Sequence, residues 1–213
     1  MRESRLRKIV QKLSQQCDPD WFAKNNKRDP YRILISCLLS LRTKDEVTFP
    51  ATERLFSLAR TPQKMVTLKE RDIAKVIYPV GFYNIKAKRI LEISTTLIDR
   101  FNSQVPDDID TLLTLRGVGR KTANLVVSVG YGKPGLCVDT HVHRISNRLG
   151  IVKTKTPNET EFALRKVLPQ KYWISFNNLL VRHGQKVCRP ISPFCSICII
   201  ERYCQRVGLE KFR

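Results

Sequence analysis

The sequence predicts an all-α protein, and three observations carry that reading. Apolar residues recur at helical spacings of three and four, as at Leu6, Ile9, Val10 and Leu13 and again at Ile90, Ile93, Leu97, Ile98 and Phe101. No alternating runs are joined by hairpin turns, so nothing reads as a strand pair. The clearest turn signal, Gly117-Val118-Gly119, lies between two stretches of helical spacing.

Residues 3–16 form one apolar face of a basic amphipathic helix. Asp18, Asn25, Asn26, Asp29 and Pro30 then mark a connection, and the almost wholly apolar run from Tyr31 to Leu41 reads as a buried core helix. Thr43 and Glu46, three apart, fit a capping box, so a helix is expected to start there and run through Leu55, with Pro50 bending or dividing it. Residues 61–79 are punctuated by polar stretches and predict two short helices. Asn84 to Phe101 is the clearest helix in the chain.

A helix-hairpin-helix unit follows, with Leu112, Leu113 and Leu115 before the glycines and Ala123, Leu125, Val126 and Val127 after them. Val142, Ile145 and Leu149 make another helix, with Arg144 and Arg148 facing elsewhere. Further helices are expected over Glu159 to Val167 and Tyr172 to Gln185, and no repeat of fixed period or low-complexity segment interrupts them.

At 213 residues the chain allows one large or two modest domains, and folding at this size buries roughly 70% of the unfolded chain's surface. Its 39 Lys and Arg against 19 Asp and Glu give a net charge of +20, which points to a polyanionic partner. An anionic membrane surface is the weaker choice, because no apolar run approaches the ~20 residues of a spanning helix. The basic start, Met1 to Val10, lacks the apolar core and cleavage site of a secretory signal. An intracellular protein without a disulfide framework is expected.

Glycines at 117 and 119 allow a turn whose N–H groups point outward together at the positive end of the next helix, which is an anion seat. With Arg116, Arg120 and Lys121 around it, the matching anion is a nucleic-acid phosphate, held without reading sequence. The plain alternative is an ordinary interhelical turn.

Cys188, Cys195, Cys198 and Cys204 fall in the last 26 residues, separated by six, two and five residues. Four thiolates at such range suit a tetrahedral metal or a cubane iron-sulfur cluster, and the chemistry alone leaves zinc and iron-sulfur both open. The other three cysteines, Cys17, Cys37 and Cys137, are expected to be small core residues.

Taken together, LRGVGRKTANLVV at 115–127, VDTHVHRISNRLG at 138–150, GFYNIKAKRI at 81–90 and the cysteine spacing resemble, in order, the endonuclease III family of DNA glycosylases, over about Tyr31 to Cys204. The resemblance implies a two-domain helix-hairpin-helix DNA glycosylase fold. A six-helix barrel would occupy residues 28–134, with the hairpin unit at about 108–130. A cluster domain would comprise 1–27 and 135–213, its C-terminal loop holding a [4Fe-4S] cluster on the four cysteines. It implies a monomer, cytoplasmic or nucleoid-associated, acting on damaged double-stranded DNA with no membrane partner.

Residue by residue, Lys121 matches the family's nucleophile, whose amine attacks the sugar C1′, expels the base and leaves a Schiff base that permits β-elimination. The attacking form is neutral, so burial and nearby cations are expected to lower its pKa from ~10.4. Asp139 matches the active-site aspartate, stabilising positive charge on the sugar, and is also a good N-cap for the helix after it. Arg42 and Phe82 match the two side chains inserted where the nucleotide is rotated out of the duplex. Family members usually carry Gln and an aliphatic residue there. The remaining DNA contacts implied are Arg116, Gly117, Val118, Gly119, Arg120, His141, Arg144 and Arg189. Arg116 stands where proline is usual, and the loop from Arg189 to Phe194 holds one cation where relatives often have several.

The resemblance therefore implies a bifunctional glycosylase and AP lyase acting on oxidised or ring-damaged pyrimidines. Adenine glycosylases of the same superfamily use a carboxylate where Cys37 sits, and this chain offers none. The alternatives are a non-catalytic DNA-binding metalloprotein, or a glycosylase of the superfamily with altered lesion preference.

Overall fold

The computed structural model describes residues 2–16, 18, 24 and 28–213, without the side chains of Arg2 and Glu3; among the described residues the secondary structure is helical, with no strand. The expected connection residues Asn25 and Asn26, and Cys17, lie outside the described residues. The chain divides into two compact units, one of residues 26–133 and the other of residues 1–25 with 134–213.

The first unit begins with α2, Pro30–Ser40, numbered after α1 of the other unit. Pro30 opens the helix, where its missing N–H is not needed, and the Asp29 carboxylate accepts the N–H of Tyr31 at 2.9 Å and of Arg32 at 3.3 Å. Every residue from Tyr31 to Leu39 is buried, as a core helix requires. Arg32 is tolerated there because its guanidinium pairs with Glu53 and lies 5.2 Å from the Phe56 ring centroid.

Helix α3, Asp45–Leu58, departs from the expected start. Lys44 is the N-cap and no side chain caps it, because the Thr43 hydroxyl is engaged by Gly81 and Lys86 instead. Pro50 lies inside the helix without dividing it. The carbonyl it leaves unmatched belongs to the exposed first turn at Glu46, where water can serve. Two short helices follow, α4 (Pro62–Met65) and α5 (Glu70–Ile77), then α6 (Tyr83–Phe101), which packs on α2, α4 and α5. Helices α7 (Ile109–Leu113) and α8 (Arg120–Leu125) form the hairpin unit, and α8 runs on as a π turn, Val126–Gly130, against α2.

In the second unit, α1 (Arg2–Ser14) and α9 (Thr140–Arg148) each pack against α11 (Trp173–Lys186), and α10 (Pro157–Val167) packs on α9. Ile9, Leu13, Val142, Ile145, Leu164 and Phe176 meet in its core, with Cys188, Cys198 and Cys204 partly buried against it. Cys37 and Cys137 are buried, as small core residues are expected to be. No described helix is long and apolar enough to cross a membrane.

Candidate functional site

The hairpin turn is built by unequal glycines. Gly117 adopts φ +89°, a left-handed conformation, and a Cβ there would lie 3.0 Å from Arg89 Cδ. Gly119 has φ −101°, which any residue can adopt, and nothing lies within 4 Å of where its Cβ would stand. Gly117 is thus required by the backbone of the turn, whereas Gly119 keeps a surface open.

The Val118 side chain is buried and its N–H donates to the Leu115 carbonyl at 3.0 Å. Arg116 is exposed and lies 3.6 Å from Glu92, which also holds Arg89 at 2.6 Å. The hairpin is thereby braced on α6.

Arg120 and Lys121 open α8 and are half-buried. The buried Cys37 of α2 feels the Lys121 charge: burial pushes its thiol up to about 12 while that charge pulls it down.

Arg42 and Phe82 occupy the turns before α3 and α6. Both are exposed, both are left-handed with φ 53° and 60°, and the guanidinium carbon lies 5.6 Å from the ring centroid. Phe82 is thus a surface residue and not part of the core.

In the second unit, Asp139 is the N-cap of α9, and one carboxylate oxygen accepts the N–H groups of His141 and Val142, each at 2.9 Å. His141 Nδ1 is 3.1 Å from Arg144, which also donates to the carbonyls of Cys188 at 2.9 Å and Gly184 at 3.4 Å. Gly184 permits this approach, since a Cβ there would meet His141 Nδ1 at 2.5 Å. Arg144 thus fastens α9 to the cysteine loop. Arg189 is exposed on that loop, 5.0 Å from the Phe194 ring, and its carbonyl accepts from Arg148 at 2.6 Å.

Cys188, Cys195, Cys198 and Cys204 line one cavity, together with Ile145 and Leu149. Burial raises the thiols of Cys195, Cys198 and Cys204, Cys198 to about 11, and the sulfurs disfavour one another's ionisation. Four thiolates there need a cationic group among them. Arg148 stands 3.5 Å from Cys188 Sγ and the Arg206 N–H donates to Cys204 Sγ at 3.4 Å, contacts that suit ligated sulfur. Among the described residues no three His, Cys, Asp or Glu side chains converge as a single-ion site. Four thiols lining one cavity fit either a tetrahedral metal or an iron-sulfur cluster.

Sequence reasoning passed over Lys86 and the Arg89–Glu92 pair, and read Thr43 only as a helix cap. Lys86 was signalled, since it falls on the same stripe of α6 as Ile90, Ile93 and Leu97.

Helices throughout the described residues, a glycine hairpin, a basic residue pair opening the helix after it and a four-cysteine loop define a helix-hairpin-helix protein. Residues 35–170 match the HhH-GPD superfamily of base excision DNA repair proteins. The chain is 50% identical over 185 residues to endonuclease III of Thermotoga maritima, covering 86% of this chain and 87% of that one. It is 40% identical over 183 residues to endonuclease III homolog 1, chloroplastic, of Arabidopsis thaliana, covering 82% of this chain and about half, 48%, of that longer protein. The structure of a trapped endonuclease III–DNA covalent intermediate, an estranged-adenine complex, superposes with a TM-score of 0.83 at 33% identity, covering 95% of each chain. The chain belongs to the endonuclease III family, and is an enzyme of base excision repair.

Proposed function

We propose that this DNA glycosylase is bifunctional: it removes oxidised or ring-damaged pyrimidines from duplex DNA and then cleaves the strand as an AP lyase. The observation that carries this reading is Lys121, the second residue of α8, half-buried at the start of the helix that follows the glycine turn. The related endonuclease III caught as a covalent intermediate with DNA supports it.

In the proposed reaction the neutral Nζ of Lys121 bonds to C1′ as the C1′–N bond to the base breaks, and the base departs with a proton. The lone pair of the Lys121 nitrogen then opens the C1′–O4′ bond, O4′ taking a proton to become the 4′ hydroxyl. The iminium so formed acidifies the C2′ proton, whose loss expels the 3′ phosphate by β-elimination, and water then frees the lysine. The Asp139 carboxylate stabilises positive charge on the sugar as the base leaves. Its two N–H partners hold it in one orientation for that task. Arg42 and Phe82 enter the gap left by the extruded nucleotide and offset the lost stacking. The open face at Gly119, with Gly117, Arg116 and Arg120, receives a backbone phosphate, while His141, Arg144 and Arg189 serve phosphates from the second unit. A net charge of +20 suits that partner.

Cys188, Cys195, Cys198 and Cys204 would hold a [4Fe-4S] cluster, which supplies a cross-link for the C-terminal loop. A 28–134 barrel domain and a cluster domain of 1–27 with 135–213 are the domains in this reading.

Duplexes carrying one defined lesion each test the proposal. Oxidised pyrimidines are expected to be excised with strand scission and, with borohydride present, to leave a covalent complex that Lys121→Ala abolishes. Base release without any trapped complex would leave a glycosylase but remove the lyase.

A further inference from the structure

Lys86 is 5% exposed and occupies a position on α6 where the apolar stripe calls for a hydrophobic side chain. Its Nζ donates instead to the carbonyls of Leu39 at 2.8 Å and Leu41 at 2.6 Å, and to Thr43 Oγ1 at 3.2 Å. An ammonium has three N–H groups, so each is used. The two carbonyls lie at the C-terminal end of α2, the negative end of its dipole. Burial lowers Lys86 to about 8, so at neutral pH it keeps the protons it donates.

Thr43 extends this arrangement. Its hydroxyl accepts the Gly81 N–H at 3.1 Å and donates to the Leu41 carbonyl at 3.3 Å. One cation and one hydroxyl thus tie the turn after α2 to the turn before α6. Each of these turns carries a non-glycine residue in the left-handed region, Arg42 in one and Phe82 in the other. Such conformations persist where the surroundings over-determine them. Gly81 completes the fit, since a Cβ there would lie 3.0 Å from the Arg42 carbonyl oxygen and 3.3 Å from Thr43 Oγ1.

We propose that Lys86 is a positioning residue whose hydrogen bonds hold Arg42 and Phe82 side by side, so that the two enter the duplex as one preformed wedge. This rests on the reading of Arg42 and Phe82 as the inserted side chains. A wedge already assembled does not have to be ordered while the duplex is being opened, which lowers the cost of insertion. Lys86 touches neither substrate nor reacting atoms. Its effect falls on duplex opening and on the excision that follows.

The test uses the full chain and a duplex with 2-aminopurine opposite a tetrahydrofuran abasic analogue, whose fluorescence rise on mixing reports opening. Lys86→Met is expected to slow that rise, and single-turnover excision, by roughly tenfold to a hundredfold, as displacement of a positioned group by about 1 Å does. Thermal melting is expected to remain well above the assay temperature. Gly81→Ala, which pushes on the Arg42 carbonyl without touching Lys86, is expected to act in the same direction, and decides the matter alone if Lys86→Met fails to fold. Opening at the wild-type rate in the folded variants overturns the proposal, as does a wild type that produces no fluorescence rise. A wild type that opens the duplex but forms no borohydride adduct sinks the lyase reading instead, and leaves the wedge to be decided by fluorescence.

Discussion

Asp139 combines two roles that substitution can separate. As N-cap of α9 it needs only an oxygen that accepts the N–H groups of His141 and Val142, whereas charge stabilisation on the sugar needs the ionised carboxylate. Asp139→Asn is expected to keep a melting temperature within a few degrees of wild type while excision falls by about a hundredfold or more. Asp139→Ala should lose about 1 kcal/mol of stability as well, read by denaturant unfolding. The capping role was legible in the sequence because a cap involves near neighbours. Lys86 was not: its stripe position marked it for burial, but its acceptors lie 45 and 47 residues away.

At the scale of elements, helices with an apolar stripe were legible, α6 and α9 among them, because burial of one face dominates their formation. The start of α3 was misread because Thr43 met a tertiary partner before it could act as a cap. The π turn after α8 leaves no local signal, since it follows from how Val126–Gly130 pack on α2. The hairpin glycines make a paired prediction. Gly117→Ala forces an alanine into φ +89° and against Arg89, at a cost of about 1–2 kcal/mol. Gly119→Ala fits its backbone and has open space, so stability should stay within about 0.5 kcal/mol. Its affinity for duplex should fall nonetheless, because the added methyl occupies the phosphate's approach. Calorimetric melting and duplex binding at fixed salt check both, and equal affinities for wild type and Gly119→Ala would remove the hairpin's phosphate role.

At the scale of the whole molecule, the +20 charge was legible as a polyanion partner and the four cysteines as one cluster of thiols, which the fold gathers around a single cavity. The identity of the group held by the thiols was not legible from their spacing, because zinc and iron-sulfur clusters accept the same ligands. Protein carrying the cluster is expected to be yellow-brown, and Cys198→Ser is expected to lose that visible absorption together with several degrees of melting temperature. A colourless wild type with one bound zinc would replace the cluster by a single ion. The central claim concerns one amine, and it is tested most directly by locating the bond it forms. Borohydride-reduced complex with a duplex containing an oxidised pyrimidine can be digested and mapped by mass spectrometry. The account predicts a sugar remnant on the peptide containing Lys121 and on no other lysine; an adduct on a different amine, with Lys121 unmodified, would contradict it.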